Sequence, residues 1–305
     1  MSVSEPFAPR VRLTSPRQAF EIRGDIAVWT EDVAAPALFG ELDKVGEIPL
    51  LPDVAHQVMT LLGDTTVPIP RIAEVIRRDP ALAAQLLRAA NTPGLGATRP
   101  VGRLSEAVMR LGTNGLRRLL FSVSTNRILV VRNRPELTTR LQARSTAVAI
   151  ASEHIAKAYG TDAEAAFMAG LLHDVGWAII HGLTTRTGAN VPSDLTNPDV
   201  LDAVCEALHE RVGERLTASW NLPVTVCAAV GHHHAPESAS AGALMADVVA
   251  GGVRIADHLR IGPVDKPMFS LRNDAILARL GIDGDRAERL VALVEADIRS
   301  DTARA

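Results

Sequence analysis

The chain has 305 residues, of which 47% are hydrophobic, 22% charged and 3% aromatic, and its formal charge is −3. These values fit a globular protein with a real core and exclude a low-hydrophobicity disordered chain. No global excess of positive charge points to nucleic acid, which is not expected as a ligand. The apolar residues are largely Ala, Leu and Val, with few β-branched runs at period two, so helix is favoured.

Residues 1–35 read as an extension, a mobile tail in which Pro6, Pro9 and Pro16 stand among scattered Ser and Arg. Within it, Ile26–Trp29 is open between a short strand and a docking segment. From Pro36 onward the pattern is helical. Val54, Val58, Leu61 and Leu62 share one helix face, and Ile69, Ile72, Val75 and Ile76 repeat the theme. Asp79-Pro80 opens the next helix. The Asp side chain can accept from free N–H groups, and Pro in the first turn lacks only a donor that would be orphaned anyway. That helix carries Leu82, Leu86 and Leu87 to about Asn91, before a break at Pro93, Gly94 and Gly96. A short helix over Leu104–Leu111 stops at Gly112, and Asn114 opens a longer one through Leu116, Leu119, Leu120 and Val123.

Arg134-Pro135 marks a boundary. A long helix follows to about Tyr159, then one from Asp162 to about His173 and another after Asp174. A loop spans Thr184–Pro198. The helix beyond it carries Val200, Val204, Leu208, Val212 and Leu216 and stops near Trp220. Pro223 starts a helix that ends at the histidine run, and further helices fill Gly242–Asp301 around a break at Gly262-Pro263. The expected organisation is an extension over 1–35 and two helical halves, 36–133 and 134–301. The strand–helix alternation of a parallel sheet is missing.

Cys205 and Cys227 form no CxxC and read as small buried hydrophobes in a reducing cytoplasm. The polar, Pro-rich first residues do not resemble a signal peptide. No uninterrupted apolar run reaches the length of a membrane span, so the expected location is cytoplasmic, without a membrane partner. Gly94, Gly96, Gly112 and Gly170 are expected at turns or close helix contacts, and Trp29, Trp177 and Trp220 as core or interface anchors.

Seven of the nine histidines fall in one stretch: His173, His181, His209, His232, His233, His234 and His258, with Asp174 and Asp257 among them. Imidazole and carboxylate donors together suit a divalent transition metal. Adjacent residues on a regular helix diverge by about 100°, but His173-Asp174 falls at a predicted helix end, where both can converge. Helical bundles build such sites from facing helices.

The run Ala169-Gly170-Leu171-Leu172-His173-Asp174-Val175-Gly176 resembles the segment that supplies the central His-Asp pair of the HD phosphohydrolase superfamily. His209-Glu210-Arg211-Val212-Gly213, Trp220-Asn221-Leu222-Pro223 and His232-His233 resemble the HDOD domain, the HD-related output domain. Ile255-Ala256-Asp257 is similar to the closing Asp of the HD pattern. Ile48-Pro49-Leu50-Leu51-Pro52, Arg78-Asp79-Pro80-Ala81-Leu82, Leu87-Arg88-Ala89-Ala90-Asn91 and Ala107-Val108-Met109-Arg110-Leu111-Gly112 follow the same family order. The resemblance covers about residues 45–260. It implies an all-α fold of two packed helical bundles, the C-terminal one HD-domain-like. It also implies a bacterial regulatory role as an output or adaptor module with a regulatory protein partner. Homo-oligomers are compatible with it. The residues implied as metal ligands are His173, Asp174, His209, His232 or His233, and Asp257.

One position departs from the pattern. Arg144, in Leu141-Gln142-Ala143-Arg144-Ser145-Thr146, stands where the HD pattern has its first His. A guanidinium stays charged and has no lone pair for a metal. Arg144 is therefore expected to replace the metal and to pair with Asp174 or Asp257. The site is then degenerate, with no catalytic residue and no expected cofactor. The related HD-GYP enzymes carry Gly-Tyr-Pro after their histidines, whereas His234 precedes Ala235-Pro236-Glu237 here and Tyr159 is the sole tyrosine. The leading expectation is a non-catalytic signalling module. The alternative is a phosphohydrolase acting on a nucleotide or phosphoester with iron, manganese or zinc, in which the metal activates water.

A third reading comes from charge. From Arg110 to Arg144 there are eight arginines and one acid, Glu136. Arg117 and Arg118 are the candidate anion-binding pair of a nucleotide sensor that does not hydrolyse its ligand. The competing reading makes these arginines solvated rims of amphipathic helices.

Overall fold

A computed structural model of the chain describes residues 27–45, 52–92, 100–262 and 270–302. Several sequence features lie outside the described residues: the prolines of the N-terminal extension, Ile26, Ile48-Pro49-Leu50-Leu51, the Pro93, Gly94 and Gly96 break, and Pro263. The described residues are helical, with no strand among them.

The first helical half is a small bundle of α2 (Asp53–Leu62), α3 (Ile69–Ile76), α4 (Pro80–Ala90) and α5 (Leu104–Ile128). Asp79 caps α4 as its sequence suggests: its side chain accepts from the N–H groups of Ala81 and Leu82 at 3.0 Å. The bundle closes around Val58, Ile76, Leu86, Leu116 and Leu120. The break expected at Gly112 is a kink within α5, where φ of +67° suits a residue without Cβ.

The second half contains α6 (Pro135–Tyr159), α7 (Ala163–Leu172), α8 (Val175–Thr185), α9 (Pro198–Ser219), α10 (Val224–Gly231), α11 (Ala243–His258), α12 (Ala275–Arg279) and α13 (Gly284–Thr302). It carries two apolar cores. One gathers α6, α7, α11 and the C-terminal helices around Val148, Ile155, Leu171 and Val249. The other lies between α8 and α9, around Trp177, Ile180, Val204 and Leu208.

The N-terminal reading needs correction from Ala27 onward. Ala27–Trp29 is helical rather than strand, and a π-helical turn over Thr30–Ala34 runs into α1 (Ala35–Val45). Ala34, Ala35, Leu38 and Leu42 form an apolar stripe that packs on the α8–α9 core, so α1 joins the second half rather than the first. Buried Glu41 fixes the contact: Lys44 and Arg186 donate to it, as does the Asn190 N–H. These donors hold its carboxyl down at about 2.

Ala163–Thr185 is long and apolar enough by composition to span a membrane, but 83% of its most apolar window is buried inside the protein. The stretch is divided at His173-Asp174 into α7 and α8.

Candidate functional site: a divided histidine–carboxylate centre

Asp162 caps the start of α7 by accepting from the N–H groups of Glu164 and Ala165. The helix that follows is apolar almost all round and is driven into the core. Its last turn delivers His173, and the chain leaves helical geometry at Asp174 before α8 begins. Close approach fixes the opposing elements. A Cβ on Gly176 would lie 2.1 Å from the His209 carbonyl oxygen, so α8 can meet α9 at His209 only with glycine there. A Cβ on Gly170 would lie 2.7 Å from Ala149 Cα, which sets α7 against α6.

These contacts gather Arg144 from α6, His173 and Asp174, His209 from α9, His233 beyond α10 and Asp257 from α11. All six are at most 5% exposed. The centre has two parts. In the first, Arg144 Nε lies 3.0 Å from Asp174 Oδ2, and Nη1 lies 2.6 Å from Asp257 Oδ1. Nη1 also donates to the Ile261 carbonyl at 2.8 Å. Burial works against the Arg144 charge, but the two carboxylates more than offset it and raise its pKa further.

The second part is imidazole. Three rings direct Nδ1 at a backbone carbonyl: His173 to Gly170 at 2.8 Å, His209 to Cys205 at 2.9 Å and His233 to Val230 at 2.9 Å. A carbonyl only accepts, so each Nδ1 carries a proton, and Nε2 is the ring atom that each histidine turns to the centre. His209 Nε2 stands 3.2 Å from both His233 Nε2 and His234 Nε2. Asp174 Oδ1 lies 3.5 Å from His209 Nε2 and 3.8 Å from His233 Nε2. His173 Nε2 is buried 3.1 Å from Asp174 Oδ2, but the two are not aligned as a hydrogen bond.

Nε2 atoms that face one another at 3.2 Å suit a cation held between them. Burial, followed by the neighbouring His234, His173 and His209, pushes His233 well below the usual imidazole range, so a proton is a poor cation there. Burial alone would raise the Asp174 carboxyl. His173, Arg144 and His209 outweigh it and keep Asp174 ionised, well below the usual carboxylate range. Two donor groups lie within metal-binding distance: His209, His233 and His234, and His173, Asp174 and His233. Anchored Nδ1–H groups behind converging Nε2 atoms are the arrangement metal-binding histidines use. The imidazole part therefore fits a divalent metal, while the space between Asp174 and Asp257 is taken by Arg144.

Three sequence expectations change. His232 does not join the centre: its Nδ1 contacts the Ser238 hydroxyl at 2.8 Å and its Nε2 faces Glu214. His234 takes its place, a residue the sequence reading left out of the ligand set. After Gly231 the chain leaves helical geometry, so no periodicity tells which of three successive histidines turns inward. Arg117 and Arg118 do not form a free anion site. Arg118 pairs with Glu153 at 2.6 Å over the Phe167 ring, and Arg117 donates to the Leu62 carbonyl and faces Glu164 at 3.5 Å. Both cations tie α5 to neighbouring helices.

Comparison with known proteins agrees with this architecture. The family model of the HDOD domain matches residues 48–236. The crystal structure of an HDOD domain protein with unknown function from Geobacter sulfurreducens is similar at a TM-score of 0.64 and 22% identity, over 88% of this chain and 97% of that one. A protein of Shewanella amazonensis SB2B, described provisionally as a metal-dependent phosphohydrolase, is similar at a TM-score of 0.63 and 17% identity, over 92% of this chain and 99% of that one. At these identities the likeness is one of fold. An uncharacterized protein of Treponema pallidum (strain Nichols) is 29% identical over 204 residues, which are 63% of this chain and 38% of the relative. The chain thus spans well under half the length of that curated relative.

Proposed function

The chain belongs to the HDOD domain family, and on that premise we propose that it is a non-catalytic regulatory module acting through protein–protein contacts, with a degenerate HD centre. The observation that carries this reading is the Arg144 guanidinium held between Asp174 and Asp257. Two unit charges about 4 Å apart interact by about 4 kcal/mol at an effective dielectric of 20, and a divalent ion doubles that. A metal bridging those carboxylates would meet this repulsion from the guanidinium. Burial argues the same way: His173, Asp174, His209 and His233 are at most 2% exposed, and among the converging imidazoles His234 is the one at the surface.

A second reading, a metal-dependent phosphohydrolase, is favoured by the converging Nε2 atoms. A divalent ion would be held there by His209, His233 and His234, or by His173, Asp174 and His233. When bound it would supply Lewis acidity and a bound water of lowered pKa. The protein's own groups orient the imidazoles through their Nδ1–H bonds, keep Asp174 ionised and bury the centre except at His234.

Hydrolysis of bis(p-nitrophenyl) phosphate by the full chain, reconstituted separately with iron, manganese and zinc, tests the choice. No turnover above that of Asp174→Asn is expected. Metal-dependent turnover that Asp174→Asn abolishes would establish the phosphohydrolase instead.

A further inference from the structure

Two turns along α8 from Asp174, and two turns back along α9 from His209, the same helix pair makes a second polar meeting. His181 Nε2 lies 3.7 Å from Asp202 Oδ1, and Arg134 forms a two-pronged ion pair with the same carboxylate. Beside it opens a pocket of about 640 Å³, bounded by the α5–α6 connection, the end of α8 and the start of α9. That volume is in the range of small-molecule sites. Its walls include Leu195 and Leu201, while its polar groups include Arg132, Arg134 and Arg186.

The charged donors available there are guanidinium groups, with the Asn133 amide beside them. The hydroxyls of Thr184 and Thr185 both donate to the His181 carbonyl and have no proton left for a ligand. Arg134 is balanced by Asp202, and Arg186 with Lys44 by the single carboxylate of Glu41. Among the described residues no carboxylate pairs with Arg132. Asp199 also acts on Arg134, so the positive excess at the rim is small and centres on Arg132 and Arg186, whose guanidinium forks suit a phosphate group. His181 is 3% exposed, and its Nε2 has no hydrogen-bond partner among the described residues. A buried polar atom in that state is costly and favours an arriving partner.

We propose that this pocket binds a phosphate monoester with an apolar or heteroaromatic body, the phosphate meeting Arg132, Arg134 and Arg186 and the body lying on Leu195 and Leu201. The site stands on its own residues and does not depend on the reading of the histidine centre.

Isothermal titration of the full chain with adenosine 5′-monophosphate and with phenyl phosphate tests the proposal, with inorganic phosphate and adenosine as controls. Saturable binding of at least one ester is expected, with at least tenfold weaker binding in Arg132→Glu. Gly182 borders the pocket, and a Cβ there would meet nothing within 4 Å. Gly182→Leu should therefore fold normally and also weaken binding at least tenfold. Asp174→Asn should bind like the parent, which separates this pocket from the histidine centre. The proposal is overturned if neither ester binds, if both pocket variants bind as the parent does, if Asp174→Asn abolishes binding, or if inorganic phosphate binds as tightly as the esters.

Discussion

Arg144 Nη1 and Asp257 Oδ1 lie 2.6 Å apart, although 113 residues of chain separate them. With Asp174 on the other edge of the guanidinium, the contact joins α6, the α7–α8 break and α11 through one charged group. Taking these charges out of water is expensive, so the cluster is a device for geometry more than for net stability.

Removing the cation alone should be severe. Arg144→Met would leave Asp174 and Asp257 buried without it, and the expected loss is about 3–5 kcal/mol in urea unfolding. Adding Asp174→Asn and Asp257→Asn should recover much of that loss, since the uncompensated charges go with it. A single Arg144→Met variant within about 1 kcal/mol of the parent would show that the guanidinium does not hold the centre.

Metal uptake should distinguish the two parts of the centre. Zinc titration of metal-free protein is expected to saturate at one equivalent, through the imidazole donors. His233→Gln should abolish uptake, because His233 belongs to both donor groups. Asp257→Asn should retain it, because Asp257 is engaged by Arg144. Equal zinc binding in the parent and His233→Gln, measured by mass spectrometry of the dialysed protein, would place the metal elsewhere.

Two glycines on α8 should respond in opposite ways. Gly176→Ala puts a Cβ 2.1 Å from the His209 carbonyl oxygen, where backbone must move. A loss of at least about 3 kcal/mol is expected, at the strong end for single substitutions. Gly182→Ala meets nothing within 4 Å on an exposed helix face and should be neutral or add up to about 1 kcal/mol. Thermal unfolding of the pair against the parent checks the contrast. Similar melting temperatures for both would mean that α8 and α9 separate readily at His209.

Much of this architecture was legible in the sequence because local chemistry announced it. Asp79-Pro80 and Asp162 mark helix starts whose capping bonds form, and Gly112 marks a kink. The family order of motifs pointed to His173, Asp174, His209, Asp257 and Arg144, but it left His232 and His233 undivided and passed over His234. Long-range partners were not legible. Glu41 and Arg186 are 145 residues apart, and nothing local shows that α1 docks on α8. The charge count around Arg117 and Arg118 looked like an anion site because their partners, Glu164 and Glu153, come from another stretch of chain. His181 and Asp202 were likewise invisible as a pair, since only the antiparallel packing of α8 and α9 brings them together.

His181 should make the fold sensitive to mild acid. Burial, with Arg134 second, lowers its pKa from 6.5 to about 4, and Asp202 opposes only part of this. The unfolded chain takes up the proton near pH 6.5, whereas the folded chain resists until about pH 4. The unfolded state therefore binds more protons in that window, and stability must fall as pH falls through it. Above pH 6.5 both states are neutral at this ring and the contribution is complete. Below pH 4 both are charged and the loss levels off. The full drop is worth at most about 3 kcal/mol. Other groups titrate in the same range, and buried His233 has the same sign, so the parent curve alone does not isolate His181. The difference between the parent and His181→Gln does. Urea midpoints measured from pH 7.5 to pH 4 should converge as the parent loses its advantage, because glutamine has no proton to gain. Parallel curves would mean that His181 is protonated in the folded protein as easily as in the unfolded chain, with Asp202 rather than burial controlling the ring.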